Sequence, residues 1–517
     1  MPDLGTRRWW ALGGVSLAVL CVGLDGTVLS VALPTLAKAL HASESDLQWF
    51  SSGYLLVLAA AMLPAGLLGD RYGRKNIMLI SLGLFGAGSA ACAYSTSVAE
   101  FLAARMLVGL AGAGVIVMAI TALTVLFSKA ERPKAVGIWA AANFLALPIG
   151  PILGGWLLTN YWWGWVFLIN VPVVMIGLAA VTGLVPASRA SQRPGLDPAG
   201  VAASAAGLVA VIYGLIKAGQ DGWANPRALA FIAAGVALLA GFVWWERRLT
   251  RRPGGQPLLD LALFRSPSFT WGVILATMPI LAMLGILFTM PQYFQGVLGT
   301  NAMGSGLRLL PLIGGVIAGA VPAARIARLA GAKMAVAAGF TLLTAGLLTG
   351  ATTSTSSGGL FVAVWMAIAG TGTGLAMATA TSAALGELTE DHSGVGSAVL
   401  QAVNKAGGPF GIAILGSTLS AGYLARLDVT GLPAPVAAAV RQSVFGGVAA
   451  ARQIRSVPLL TSVQAAFAHG MDLALLVSAV IALAGVVLTL IFLPKSSAPQ
   501  AATPARTDRE PDVAAAR

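Results

Sequence analysis

The stretch Gly66-Leu-Leu-Gly-Asp-Arg-Tyr-Gly-Arg-Lys75 is a short, charged, glycine-rich hinge between two long apolar segments. Those segments, residues 9–65 and 77–94, are almost without charge. A hinge this short cannot separate two soluble helices that are apolar all round, but it can join two transmembrane helices on the side of the bilayer that collects Arg and Lys. Its glycines permit a tight turn and close helix approach. Asp70 can pair with a nearby arginine or with the start of a neighbouring helix.

The composition of the whole chain is that of a polytopic membrane protein. Of its 517 residues, 57% are hydrophobic and 10% are charged, and the mean hydropathy is +0.83, whereas soluble chains carry about 25% charged residues. The net charge of +13 lies in short clusters between apolar runs, which fits orientation in a membrane better than binding of nucleic acid. Three His and two Cys indicate neither a structural metal site nor a disulfide framework. No cofactor is expected.

About fourteen segments reach the roughly 20 apolar residues that a membrane-spanning helix needs. They lie near residues 9–36, 48–69, 77–95, 101–127, 135–157, 164–185, 199–217, 228–245, 269–291, 304–323, 332–351, 358–386, 394–420 and 471–493. An even number puts both termini on one side, and the basic loops indicate that this side is the cytoplasm.

The spans form six helices, an inserted pair and six further helices. We expect a first six-helix bundle over 1–185, linkers and the inserted pair over 186–256, a second six-helix bundle over 257–495, and a disordered cytoplasmic tail over 496–517. Inside the second bundle, the long outer loop 421–470 is expected to carry one amphipathic surface helix within 433–455. The basic stretch 325–333 repeats the opening hinge without its Asp, which is typical of transporters built from two parallel halves.

Two charged residues interrupt the spans. Asp25 lies near the middle of the first span, and Arg105 lies a few residues inside the fourth. Charges at such depths are costly and mark ion or proton pathways unless they are paired or reach an interface. Asp25 is therefore either a proton-coupling site or a structural carboxyl bonded to a neighbouring helix. Arg105 either meets a buried partner or extends its side chain to the membrane surface.

The fifth span contains prolines and closely spaced glycines. Small residues at this spacing let a neighbouring helix approach closely, and proline kinks the helix axis. This pattern fits tight packing alone or a role in the direction of transport, through Pro148, Gly150, Pro151, Gly154 and Gly155.

These stretches carry a family resemblance. The hinge resembles the G-x-L-x-D-R-x-G-R-K signature of the major facilitator superfamily, a large class of secondary transporters. The motifs that begin at Leu24, Arg105 and Gly150 resemble those of the drug:proton antiporters within it. Fourteen spans point to the fourteen-helix branch, which includes bacterial multidrug and antibiotic exporters, and 162–172 resembles the start of its sixth span.

The resemblance implies roles for particular residues. Asp25 and Arg105 would belong to proton coupling, and the proline-glycine stretch would be the antiporter motif. A gate locking the two halves on the cytoplasmic side would contain Gly66, Asp70, Arg71, Gly73, Arg74 and Lys75. Spans nine to eleven have no Asp or Glu in the middle, which disfavours a dicationic substrate.

A substrate cavity between the halves is expected to use aromatic faces and hydrogen-bonding side chains. The candidates are Tyr54, Asn143, Phe144, Gln292, Tyr293, Gln401 and Lys405, with Met290 and Gln295 beside them. Tyr293 also fits an interface anchor. Lys405 would either pair with Glu387 or Glu390 or extend toward the interface.

The sequence thus predicts a proton-coupled exporter of amphiphilic drugs, antibiotics or lipophilic cations in the bacterial inner membrane, functional as a monomer. Its partners are a small amphiphilic substrate, protons and the lipid bilayer. The alternatives are a dedicated exporter of one metabolite or antibiotic and, from another class, a non-transporting sensor or a lipid flippase. No nucleotide-binding loop and no nucleophile with a paired base is seen, so an enzyme is not expected.

Overall fold

The computed structural model describes residues 4–128, 131–188, 197–252, 261–386 and 390–494. Within these ranges the regular secondary structure is helical and contains no strand. Fourteen of the described helical segments are long and apolar enough to cross a membrane. The predicted all-α fold with fourteen transmembrane helices is confirmed.

The first group of helices contains the hinge. It consists of α1 Leu4–Ala39, α2 Glu44–Tyr72, α3 Arg74–Tyr94, α4 Val98–Leu126, α5 Arg132–Asn160, α6 Trp165–Leu168 and α7 Asn170–Leu184. Most of the hinge is helical, and only Gly73 lies between α2 and α3, at φ +104°, a backbone conformation that glycine adopts without strain. At the other end of α2, Ser43 and Asp46 form a capping box that fixes where the helix begins.

An inserted pair follows, α8 Pro198–Asp221 and α9 Pro226–Thr250. Glycines 207, 214 and 235 let these two helices pack closely on each other. The first helix of the pair, α8, lies against both groups of helices, because its Ile212 and Ile216 share a small apolar cluster with Leu56 and Ala413.

The second group begins after a short 3-10 turn at Leu261–Arg265. It consists of α10 Pro267–Gln292, a π-helical turn Tyr293–Val297, α11 Ala302–Arg308, α12 Leu310–Ala320, α13 Ala323–Ala330, α14 Ala332–Gly350, α15 Gly359–Gly386, α16 Glu390–Arg426, α17 Ala434–Gln442, α18 Val444–Gln453 and α19 Val457–Phe492. The tail predicted over 496–517, Glu387 and the side chain of Glu390 lie outside the described residues.

The long outer loop differs from the prediction. Helix α16 continues to Arg426 and α19 begins at Val457, so 427–456 connects them. The single surface helix predicted within 433–455 is wrong, because extended backbone at Ser443 (φ −168°) divides this region into α17 and α18. The Ser443 side chain then caps α18 by accepting from the Gly446 N–H. Tyr423 donates from its hydroxyl to the Val440 carbonyl at 2.6 Å and holds α17 on α16.

The two groups of helices meet at the end opposite Gly73, which we call the closed end. There Gly155 of α5 faces the backbone of Ala302 and Met303 in α11, and Gly306 faces the Pro151 carbonyl. A Cβ atom at either glycine would collide with this backbone. Backbone-to-backbone packing of this kind keeps helices close together in a membrane.

Candidate functional site

An ion pair between Asp25 and Arg105 lies inside the first group of helices. Arg105 Nη1 of α4 is 2.6 Å from Asp25 Oδ2 of α1, and the two side chains are 0% and 1% exposed. Because a buried ion is stable only when its charge is compensated and its hydrogen bonds are made, each residue depends on the other. The structure thus pairs the two residues predicted for proton coupling.

Asn170 completes the surroundings of the Asp25 carboxylate. Its Nδ2 donates to Asp25 Oδ1 at 3.2 Å and lies 3.3 Å from Ser89 Oγ, while its Oδ1 accepts from the Cys21 thiol at 3.2 Å. All four of these residues are buried. Asn170 lies in the 162–172 motif and was assigned no role from the sequence, although an amide inside an otherwise apolar span was the available signal.

Arg105 makes further contacts with α2. Its Nε donates to the Phe50 carbonyl at 3.4 Å, and its guanidinium carbon lies 4.2 Å from the centre of the Tyr54 ring. A cation over an aromatic face is stabilised by the negative potential of the ring. Arg105 Nη2 is buried and has no hydrogen-bond acceptor among the described residues.

A central cavity of about 440 Å³ lies between the two groups of helices and adjoins this ion pair. Arg105 borders the cavity although its side chain is buried, and Asp25 is not among the lining residues. The wall is mainly aliphatic, with polar or aromatic contributions from Tyr54, Trp139, Asn143, Phe144, Gln401, Asn404 and Lys405. A largely apolar pocket of this size with a few polar groups is typical of sites for drug-sized ligands.

Five of the seven candidate cavity residues line this cavity, and two do not. Gln292 lies at the closed end, where its Nε2 donates to Glu44 Oε1 at 3.1 Å. Tyr293 starts the π-helical turn and donates from its hydroxyl to the Ser354 carbonyl at 2.7 Å. Of their neighbours, Gln295 donates to the Val31 carbonyl at 3.1 Å. The polar groups of these three side chains therefore form hydrogen bonds outside the cavity. The end of α10 and the π-helical turn that follows it lie at the closed end.

The proline-glycine stretch holds α5 against α1 on one side. Gly150 and Gly154 lie against Thr27 and Val28 of α1, so closely that a Cβ atom at either glycine would collide with these side chains. The Thr27 hydroxyl also donates to the Ala146 carbonyl of α5 at 3.0 Å. The hydrogen bond and the two glycine contacts together tie α5 to α1.

On its other side the same stretch meets the second group of helices. Gly155 and the Pro151 carbonyl form the backbone contacts with α11 at the closed end. Pro148 and Pro151 both lie inside α5, where a proline lacks the N–H group that a helix interior uses. The predicted antiporter motif is therefore a packing surface that connects α1, α5 and α11.

The charged hinge makes its contacts within the first group of helices. Arg74 Nε and Nη2 lie 2.9 and 2.8 Å from Asp70 Oδ1, and the Arg74 N–H donates to the Ser188 carbonyl at 2.9 Å. Lys75 Nζ donates to the Thr182 carbonyl at 2.8 Å, and the Arg71 guanidinium lies 5.6 Å from the ring centre of Tyr72. None of these described contacts reaches the second group.

The cavity extends toward the hinge end. Thr381 lies five residues before the end of α15, Ala320 is the last residue of α12, and Trp139 lies seven residues after the start of α5. At 1.5 Å per residue, these wall residues lie within about 11 Å of their helix ends. The two groups are therefore packed together at the closed end and leave space between them toward the hinge end.

Fourteen described helices that are long and apolar enough to cross a membrane, with a cavity between two groups of them, form the architecture of a polytopic membrane transporter. The chain belongs to the Major Facilitator Superfamily, because the sequence profile of that superfamily matches residues 15–412. The resemblance predicted from the hinge and span motifs is confirmed.

Two relatives are efflux proteins. The chain is 34% identical over 412 residues to the tetracenomycin C resistance and export protein of Streptomyces glaucescens, covering 79% of this chain and 76% of that protein. It is 31% identical over 491 residues to the multidrug efflux pump LfrA of Mycolicibacterium smegmatis, covering 93% and 95%. The fold is similar to that of a bacterial homologue of the human lysosomal transporter Spinster in an inward-facing, unoccupied conformation. That match has a TM-score of 0.69 at 16% identity and covers 95% of this chain and 99% of the other.

Proposed function

We propose that this protein is a proton-coupled exporter of amphiphilic drugs or antibiotics, working by alternating access in the bacterial plasma membrane. The observation that carries the proposal is the buried ion pair of Asp25 and Arg105 beside the central cavity. A carboxyl that exchanges protons and a cation that lines the substrate site form one hydrogen-bonded unit, so protonation and substrate binding influence each other.

The coupling step follows from the chemistry of this pair. When Asp25 is ionised, its charge neutralises Arg105. When Asp25 takes up a proton, the ion pair is lost and the Arg105 guanidinium presents an uncompensated charge at the cavity wall. A substrate that binds beside Arg105 therefore has a different binding free energy when Asp25 is protonated than when it is ionised. Thermodynamic coupling between proton and substrate requires such a difference.

The packing of the two groups supports an inward-facing state. With the hinge end in the cytoplasm, as the basic hinge favours, the cavity extends toward the cytoplasm and the closed end faces outward. Both termini are then cytoplasmic. Asp70 pairs with Arg74 inside its own group, as expected for a cytoplasmic gate that is open, and the gate would engage the second group in the outward-facing state. We expect the monomer to be the transporting unit.

A dedicated exporter of one antibiotic is the second candidate. It is favoured by the tetracenomycin C export protein among the relatives, whereas the multidrug pump LfrA favours a broad range. The number of unrelated compounds exported by the native protein separates the two candidates.

The experiment is efflux of rhodamine 123 and fluorescein from loaded cells that express the native chain or Asp25→Asn. We expect export of at least one dye by the native protein, loss of export after addition of an uncoupler, and loss in Asp25→Asn at equal membrane abundance. Export that survives the uncoupler would contradict proton coupling. Export that survives Asp25→Asn would place the coupling group elsewhere.

A further inference from the structure

The charges on the cavity wall are positive. Its charged lining residues, within the part of the chain that the structure describes, are Arg105 and Lys405, and the lining contains no Asp or Glu. Arg105 is neutralised from behind by Asp25. Lys405 makes no ion pair or hydrogen bond with a described residue, so its protonated form places in the cavity one positive charge that no lining carboxylate balances.

Lys405 lies on the face of α16 that looks across the cavity. Gln401, Asn404, Lys405 and Gly408 share this face by their helical spacing, and the first three line the cavity. Gly408 lies against Leu284 of α10 and Leu55 of α2. This face of α16 therefore packs against helices of both groups. A molecule bound beside the Lys405 side chain would contact both groups as well.

We propose that the cavity binds an amphiphilic anion, namely an aromatic molecule with one carboxylate or ionised phenol, whose acidic group pairs with Lys405. The ring system lies against the aliphatic wall, beside Phe144 and Phe288. A lipophilic cation of the same size would meet Lys405 without a carboxylate to balance it, so like-charge repulsion disfavours it. That this anion is also exported rests on the proposed function; that it binds does not.

The test compares two xanthene dyes of similar size and opposite charge. Fluorescein is anionic and rhodamine 123 is cationic, and their affinities are measured by anisotropy with the full chain in nanodiscs of neutral phosphatidylcholine. Empty nanodiscs provide the background. The variants are Lys405→Gln, which removes the charge, and Lys405→Arg, which keeps it.

We expect the native protein to bind fluorescein at least about tenfold more tightly than rhodamine 123, because a charge-assisted hydrogen bond contributes this much. Lys405→Gln should weaken fluorescein binding about tenfold and leave rhodamine 123 binding unchanged or stronger. Lys405→Arg should retain the native preference. An unchanged gel-filtration profile and native-like fluorescein binding by Lys405→Arg exclude misfolding at this site.

Three results would overturn the proposal: tighter binding of rhodamine 123 by the native protein, no fluorescein binding at all, or fluorescein binding that Lys405→Gln leaves intact. Its failure is distinguishable from failure of the proposed function. Uncoupler-sensitive export of rhodamine 123 alone would contradict the anion inference and support proton-coupled export. Selective fluorescein binding without gradient-dependent export would support the anion inference and contradict proton-coupled export.

Discussion

Arg105 Nη1 lies 2.6 Å from Asp25 Oδ2, although the two residues are 80 positions apart in the chain. Helices α1 and α4 bring the charges together, and the opposite edge of the carboxylate accepts from Asn170. Removing one member leaves the other charge buried and uncompensated. Under the proposed function the pair has two roles, one in stability and one in coupling, and each role needs its own measurement.

The first prediction separates these contributions. Asp25→Asn should lower the free energy of unfolding by about 3–5 kcal/mol, because it leaves Arg105 as an unpaired buried cation. The double variant Asp25→Asn with Arg105→Met should recover part of this loss, yet remain inactive in export. Thermal unfolding followed by tryptophan fluorescence measures the stability. A double variant less stable than Asp25→Asn would argue against a mutually dependent pair.

The second prediction concerns Asn170. Asn170→Ala removes the amide that donates to Asp25, so the rate of export should fall about tenfold through loss of one hydrogen bond to a charged group. Ser89→Ala, which leaves the Asn170–Asp25 bond in place, is the matched control and should be close to native. Equal export rates for the native protein and Asn170→Ala would remove Asn170 from the coupling unit.

The third prediction tests the close packing of α5 and α11. Gly155→Ala puts a methyl group against the Ala302 and Met303 backbone, so it should separate the two groups at the closed end. We expect a membrane-impermeant maleimide to label Gln48→Cys faster in this variant, because Gln48 is buried in α2 in the native structure. Gly137→Ala on the same helix, where a Cβ atom meets nothing within 4 Å, is the control. Unchanged labelling would show that this contact does not hold the closed end shut.

The fourth prediction concerns Glu44 at the closed end, which is buried and accepts from Gln292 across the two groups. Glu44→Gln keeps a carbonyl oxygen as acceptor and should leave the unfolding temperature unchanged or raise it. Glu44→Ala leaves the Gln292 amide without this acceptor and should cost about 1–3 kcal/mol of stability. If Glu44→Gln were as unstable as Glu44→Ala, the ionised carboxylate itself would be required.

The fifth prediction separates gating from stability at the hinge. The Asp70 and Arg74 side chains are 33% and 25% exposed, so their ion pair should contribute no more than about 1 kcal/mol to stability. Asp70→Asn should therefore unfold at nearly the native temperature. We nevertheless expect its export rate to fall severalfold, since the proposed gate loses its anion. Native export by a stable Asp70→Asn would exclude the gate role.

The sequence was most informative about features that depend on neighbouring residues in the chain, such as the number of membrane-spanning helices. Long apolar runs have few alternatives to membrane helices, so all fourteen spans were predictable. Their ends were harder to place, because hydropathy measures transfer into lipid and not helix length. Residues 457–470 are helical although Gln464 and His469 lower their hydropathy, since Val463 and Phe467 of the same segment are buried against other helices.

The candidate site was predictable in its charges and not in its geometry. Asp25 and Arg105 stand out because charges are rare in spans, whereas the neutral amide of Asn170 is a weaker signal. Gln292 and Tyr293 were expected in the cavity because they are polar or aromatic residues near the end of a span. Which way a helix end faces depends on packing with its neighbours, and the sequence does not specify that packing directly.

In the proposed mechanism, Asp25 couples proton movement to export. This coupling is measured as proton release from energised everted vesicles, detected by the dequenching of an acridine probe. The release is started by adding the dye that cells export fastest. We predict dye-dependent dequenching by the native protein and none by Asp25→Asn vesicles that contain equal amounts of folded protein. Equal dequenching by the two proteins would contradict the claim.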